Sequence, residues 1–225
     1  MKEEELRINQ PEIGLLREMR IYYPPISLNI YAVDPIANPE ALFLYLVLSR
    51  SELEPDKDIF VGTFQYDFQG IISSSVIPTP LTSRFRFIIN ESPNIHFRTY
   101  EATEELLRAV DLYYRSSNHL YLFIPHLREN ELEFLEKLAA LLKKIKTTGR
   151  RSATVNIFID IALMEKKEAR LLKYYSDAIY VLRVNEKTRG RELALIKLSF
   201  SNPPSSPLEM LIDSDSVKFQ IVRSF

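Results

Sequence analysis

The residues in this chain that could do chemistry are few, and most lie at the ends of apolar runs. Three histidines are present, His96, His119 and His126, at spacings that fit no compact metal motif. His126 closely follows a fully apolar run, Leu120–Ile124, so it is expected at the C-terminal end of a core strand, the edge where open parallel sheets bind ligands. Asp34, Asp67 and Asp160 fall at comparable positions. They read as an acidic cluster or as separate loop caps, and capping is the simpler reading. His126 likewise reads as a polar loop residue before it reads as a metal ligand beside Asp34 or Asp160, and no metal site is expected. Cysteine is absent, which removes disulfides, thiolate ligands and thiol nucleophiles. No Ser/His/Asp motif or GxSxG elbow is present. The run Lys143–Arg151, KKIKTTGRR, offers Lys143, Lys144, Arg150 and Arg151 to phosphate backbones. It also reads as a helix C-terminus whose lysines complement the dipole, and it has no aromatic platform beside it in the sequence.

One stretch stands where phosphate chemistry would be sited. Ser27–Arg50, SLNIYAVDPIANPEALFLYLVLSR, reads as a strand, a polar turn and a helix that is apolar on nearly every face. That order of elements delivers phosphates to a helix N-terminus in many α/β proteins. Here the turn, Asp34–Pro39, has neither glycine nor lysine.

Around it, a short helix is expected from Pro11 to Arg20, a strand at Ser27–Val33 and the buried helix at Glu40–Leu48. A strand at Asp58–Phe64, a helix at Gln65–Ser75 and a loop at Val76–Pro80 follow. Alternating residues predict strands at Arg84–Ile89 and Ile95–Arg98, then a helix at Thr103–Ser116. Leu120–Ile124 is a strand and Glu129–Lys146 a helix with acidic residues first and lysines last. A basic turn at Thr147–Ser152, a strand at Ala153–Ile159 and a helix at Met164–Tyr175 come next. Strands are then expected at Ala178–Val184, Glu192–Phe200, Leu208–Ile212 and Lys218–Val222, with a hairpin turn at Asn185–Gly190. Alternating β and α followed by a run of strands predicts an α/β fold of three layers. Its central sheet is mostly parallel, with helices on both faces and antiparallel strands at the C-terminal edge. One domain over residues 1–225 is expected, with residues 1–26 as a lead-in and 27–222 as the core.

The composition sets outer limits. An apolar fraction of 46% and a charged fraction of 26% are those of an ordinary globular chain. A net charge of −1 gives no general attraction to nucleic acid or anionic membrane. The start, MKEEELRINQ, lacks the apolar core of a signal peptide, and no run is long enough to span a membrane, so a cytoplasmic location is expected. Many Glu, Lys and Arg residues without Cys suit a thermophile. The tyrosine pairs Tyr22–Tyr23, Tyr113–Tyr114 and Tyr174–Tyr175 read as interface anchors or as rings at the core edge.

The order of elements resembles the RecA-like P-loop ATPase superfamily, and most closely its archaeal KaiC-like and RadA-like branch. The resemblance is carried by LYLFIPHL, ELEFLEKLAALLKKIKTTG, ATVNIFID, YYSDAIYVLRV and LALIKLSF, and spans Ser27 to Val222. It implies a RecA-like fold, a GxxxxGK[ST] phosphate loop, an acidic residue ending the central strand, and a water-activating glutamate after the second strand. It also implies a Lys-x-Arg pair that reaches a neighbouring subunit's nucleotide. This chain departs from the pattern at every point. Asp34–Glu40 occupies the loop, with Ile36 and Asn38 at glycine positions, Pro39 at the lysine and Glu40 at the hydroxyl residue. Cβ-bearing residues block close approach of phosphate, proline removes a donor and Glu40 adds like charge. The central strand ends in Ile124–Pro125–His126 without a carboxylate, and Gln65 or Tyr66 stands at the glutamate. Lys197 remains from the pair, with Ser199 at the arginine.

These departures predict a catalytically inactive pseudo-ATPase that acts as an interaction or regulatory subunit, with no cofactor and no catalytic residue. A protein partner or a homo-oligomer is the expected assembly. The alternative is a nucleic-acid-binding accessory protein of the recombination and repair type, using the basic run. A third class is an enzyme with a different site at the same sheet edge, around Asp34, Gln65 and His126.

Overall fold

Side chains of the strand Ser27–Val33 (β1) divide by parity, as a strand buried on both faces requires. Leu28, Ile30 and Ala32 enter one apolar core, and Tyr31 and Val33 enter another. The computed structural model describes residues 27–65, 82, 83, 86, 90, 93–116, 118–128, 131–148, 154–199, 202–204, 206–212 and 217–221. After β1 come α1 (Pro39–Leu53), β2 (Ile59–Phe64), β3 (Ile95–Tyr100), α2 (Thr103–Ser116) and β4 (His119–Phe123). Then follow α3 (Glu133–Thr148), β5 (Thr154–Asp160), α4 (Arg170–Tyr175) and β6 (Ala178–Val184). The last elements are β7 (Arg191–Leu198), β8 (Leu208–Ile212) and β9 (Val217–Ile221).

These strands form one sheet in the order β3-β2-β4-β5-β1-β6-β7-β8-β9. The strands from β3 to β6 are parallel and β7, β8 and β9 are antiparallel. The parallel sheet with an antiparallel C-terminal edge is the architecture expected from the order of elements. Asp177 sets the start of β6 against β1: its carboxylate accepts from Leu28 N at 2.9 Å and its N–H donates to Leu28 O at 2.8 Å.

Helices cover both faces. Helices α2, α3 and α4 pack on the Leu28 face, where a Cβ at Gly62 would lie 3.1 Å from Leu106 and from the Phe60 ring. Helix α1 packs on the Tyr31 face, and its four consecutive residues Ala41–Leu44 are all fully buried. Each residue advances about 100° around the helix, so four in a row leave no solvent side. Beneath it an aromatic row crosses four neighbouring strands in register, Phe123, Phe158, Tyr31 and Tyr180. Tyr31 stacks on Phe158 at 4.6 Å and on Tyr180 at 4.8 Å between ring centroids, and Phe43 of α1 meets Phe158 edge-on at 5.1 Å. From the antiparallel edge, Phe219 of β9 packs on Tyr45 of α1.

Several expectations need correction. Helix α1 runs on from Leu48 to Leu53, because its polar residues Arg50 and Glu54 settle each other's charge. The helix expected at Met164–Tyr175 is broken into 3-10 turns at Ile161–Glu165 and Lys167–Ala169 before α4, because Lys166 is extended, with ψ 151. Helix α3 begins at Glu133 rather than Glu129 and includes Thr147 and Thr148, which were assigned to the basic turn. Arg86, expected in a strand at Arg84–Ile89, is helical, as are Thr82, Ser83 and Asn90. Gln65, expected to open a helix, sits in a bend. The rest of the segments expected at Gln65–Ser75, Val76–Pro80 and Arg84–Ile89 lies outside the described residues, as do the Pro11–Arg20 helix and the Tyr22–Tyr23 pair. The hairpin turn at Asn185–Gly190 is present, with the Asn185 carboxamide oxygen accepting from Lys187 N and Thr188 N.

Phe43→Ala removes the ring that closes the aromatic row and is expected to cost about 3–5 kcal/mol in urea denaturation. Ile36→Ala, at an exposed side chain, is expected to stay within about 0.5 kcal/mol.

Candidate functional site

The C-terminal edge of the parallel strands collects the residues expected there. Gln65 follows β2, Pro125 and His126 follow β4, Asp160 ends β5 and Asp34 follows β1. The strand order makes these four neighbours in a row. From Gln65 to Asp34 the row spans three strand spacings, roughly 14 Å. The Asp34, Gln65 and His126 set therefore starts from separated strand ends.

The β1–α1 turn is closed by its own atoms. Pro35–Ala37 forms one 3-10 turn, in which Ala37 N donates to Asp34 O at 2.9 Å and Ile36 N donates to the Asp34 carboxylate at 3.1 Å. Asp34 N donates to Leu182 O at 2.8 Å, and Ala41 N to Asn38 O at 3.2 Å. Asn38 takes the left-handed conformation with φ 58, one that Asn tolerates better than most residues. Pro39 then opens α1 at its first turn, where a missing N–H costs nothing. Ala37, Asn38 and Pro39 are buried, Glu40 is half-buried, and Ile36 projects with 74% exposure.

Asp160 repeats the Asp34 arrangement. Its carboxylate accepts from Ala162 N at 2.8 Å and caps the turn Ile161–Glu165. Both aspartates thus serve as loop caps, and Asp67 lies outside the described residues. Among the described residues no group of three or more His, Asp and Glu side chains could hold a metal ion. Pro125 is buried and His126 exposed in the turn after β4.

Gln65 has φ 47, a left-handed conformation that costs a side-chain-bearing residue on the order of 1 kcal/mol. Its backbone N–H continues the ladder to Tyr100 O at 2.9 Å. Its carboxamide donates to Glu131 at 3.2 Å, and the other Glu131 oxygen accepts from Arg128 N at 2.9 Å. Gln65 thereby ties the end of β2 to the segment leading into α3.

Lys197 is engaged within the chain. Its ammonium donates to the carbonyls of Lys173, Tyr174 and Ser176 at 2.6, 3.1 and 2.7 Å. It neutralises the carbonyl end of α4 and ties that helix to β7. In the basic run, Lys143 and Lys144 are exposed on the last turns of α3, and the Lys143 ammonium lies 5.6 Å from the Tyr175 ring centroid. Arg150 and Arg151 lie outside the described residues.

At the opposite edge of the sheet is a polar cluster that the sequence reading missed. Arg50, near the end of α1, has no exposed surface. It donates to Glu54 at 2.8 Å and lies 3.4 Å from the Tyr121 hydroxyl. The same Glu54 oxygen is 2.7 Å from His119 Nε2, and His119 Nδ1 meets the Thr154 hydroxyl at 2.9 Å. The end of α1 is thereby fastened to the first residues of β4 and β5. A signal was available: Arg and Glu at i and i+4 on an otherwise apolar helix, with a histidine opening an apolar strand.

No family model matches the chain, and no curated protein matches it in sequence. The crystal structure of a KaiC-like protein from the hyperthermophilic archaeon Pyrococcus horikoshii is similar in fold. Its TM-score is 0.72 at 11% identity, over 95% of this chain and 98% of that one. The chain has a KaiC-like fold. Within that fold, Asp34–Glu40 joins the central strand β1 to the buried helix α1.

Burial pushes the Glu54 carboxyl up, but the hydrogen bonds and charges of His119 and Arg50 outweigh it and hold it below the usual 4.5. A carboxylate lowered by folding adds stability above its unfolded pKa and loses it as pH falls through the folded value. Glu54→Gln leaves the Arg50 charge buried without its carboxylate and is expected to cost about 3 kcal/mol near neutral pH. The gap from wild type should narrow as urea denaturation is measured at successively lower pH below 4.5. Lys197→Met, which keeps the chain length and removes the ammonium, should cost about 1–2 kcal/mol in the same assay.

Proposed function

We propose that the chain is a KaiC-like domain without ATPase activity that works as a protein-interaction or regulatory subunit. The observation that carries this reading is the hydrogen bonding of the β1–α1 turn. A phosphate cradle needs several backbone N–H groups directed at one anion and a cation beside them. Here Pro35 and Pro39 have no N–H, and those of Asp34, Ile36, Ala37 and Ala41 donate to acceptors within the chain. The position matched to the phosphate-loop lysine by resemblance is Pro39, and Glu40 follows with a negative charge.

The other replaced positions act in the same direction. Loss of one preorganised charge donor costs about 3–4 kcal/mol of transition-state stabilisation, and Pro125, His126 and Gln65 supply no carboxylate for metal or water. A chain that keeps the framework while lacking these groups suits a partner for another protein or for a second copy of itself. The nucleic-acid-binding alternative rests on the basic run, in which Lys143 lies over the Tyr175 ring.

Isothermal titration with ATP and magnesium tests the reading. No saturable heat is expected up to millimolar nucleotide, and no phosphate release above a buffer blank. Saturable, magnesium-dependent binding overturns it.

A further inference from the structure

Lys143, in the last turns of α3, lies over the ring of Tyr175, the last residue of α4. Leu171 and Tyr174, three residues apart on α4, are 45% and 75% exposed, a spacing that puts them on one helix face. Ile196, the residue before Lys197, is 58% exposed, and Lys197 reaches the last carbonyls of α4. Large apolar side chains this exposed on adjoining elements mark an interaction surface more readily than isolated ones do. Arg170 and Lys173 directly precede Leu171 and Tyr174 on α4, and Lys143 lies over the ring of Tyr175.

We propose that this surface docks an acidic, amphipathic segment of a partner protein. Tyr174 is the anchor: it packs edge-on against Tyr175 with ring centroids 5.2 Å apart, and Tyr175 is itself held beneath the Lys143 ammonium. Three carbonyl contacts from Lys197 fix the backbone that carries the Tyr174 ring. An aromatic side chain ordered before binding loses little entropy on contact, which is what makes such residues strong anchors. The cations select a partner of negative charge.

The aliphatic residues decide between two classes of anionic partner. Leu171 and Ile196 gain nothing from a phosphate backbone, whereas an amphipathic segment covers them with its own apolar stripe. The surface lies away from the β1–α1 turn, so it requires no nucleotide.

The inference rests on the interaction reading and supplies its surface. The probe is a fluorescein-labelled helical peptide with leucine at i, i+3, i+4 and i+7 and glutamate at most other positions. Titrated with the full chain, it should show a saturable rise in anisotropy that weakens with added salt. Tyr174→Ala should weaken binding about tenfold or more, and Lys143→Glu with Lys173→Glu should abolish it. Ile36→Ala, exposed at the other edge, should leave it unchanged, and circular dichroism melts confirm that each variant is folded. Absence of saturable binding overturns the proposal, as does equal binding of a peptide with lysine in place of glutamate. Tighter binding of an oligothymidylate through the same residues also overturns it, in favour of nucleic acid. Magnesium-dependent ATP binding would remove the interaction reading while leaving the peptide titration intact. Failure of the peptide alone removes only this surface.

Discussion

Helix α1 is buried around its whole circumference over its first turns, and the rest of the molecule accommodates that constraint. Its last residues, Glu52 and Leu53, reach solvent, but Arg50 just before them does not. At the carbonyl end this brings in a charge. Arg50 is fully buried, and an unpaired guanidinium in that position would cost several kcal/mol. Glu54 one turn later and the Tyr121 hydroxyl answer it, and His119 and Thr154 carry the contact into the starts of β4 and β5. The cluster gives the helix one axial position over the sheet.

The sheet is built to match. Its row under Phe43 is aromatic, Phe123, Phe158, Tyr31 and Tyr180, and fills the wide space beneath a helix packed on four strands. Two residues earlier on each strand, the next row on the same face reads Tyr121, Asn156 and Asn29. There Asn29 donates to the Asn156 carboxamide at 3.0 Å. The apolar row thus underlies the start of α1 and the polar row lies toward its charged end. Sliding the helix by one turn in one direction would carry Arg50 toward the phenylalanines, and in the other would carry Phe43 toward the asparagines, so sheet and helix specify each other's register.

Much of this was legible from the pattern of residues, and the failures have physical causes. Buried strands are short apolar runs bounded by polar residues, and each of β1, β2, β4, β5 and β6 falls within a residue or two of its expected span. The all-round burial of α1 followed from ALFLYLVL. What a one-dimensional pattern conceals is pairing across sequence distance. The burial of Arg50 was hidden because its contacts include a residue about seventy positions away. The capping role of Lys197 was hidden because the carbonyls it caps belong to another element. The break in the Met164–Tyr175 helix had no glycine or proline to announce it; an extended Lys166 makes it. Of the expected site positions, placement at strand ends was legible from the order of elements, whereas their neighbouring in a row follows from a strand order that the pattern does not carry. The capping roles of Asp34 and Asp160 were legible too, because a carboxylate two residues before an N–H in a tight turn is a common local arrangement.

The two edges of the sheet therefore divide the labour in an unusual sense. At the C-terminal edge, where such folds place ligands, three carboxylates among the described residues are each engaged locally: Asp34 and Asp160 by their own turns, Glu131 by Gln65 and Arg128. None of those contacts directs two groups at a shared external atom. The converging charges lie at the opposite edge, buried under the end of α1, where they hold helix to strand. A turn bracketed by prolines and closed by its own hydrogen bonds also has little freedom to open around an anion, because opening would sacrifice four internal hydrogen bonds while two of its residues have no N–H to offer in return. Rigidity of that kind has a different use. It presents Ile36 at one edge, as the Lys197 contacts present Tyr174 at the other, in positions set by the core rather than by the side chains themselves.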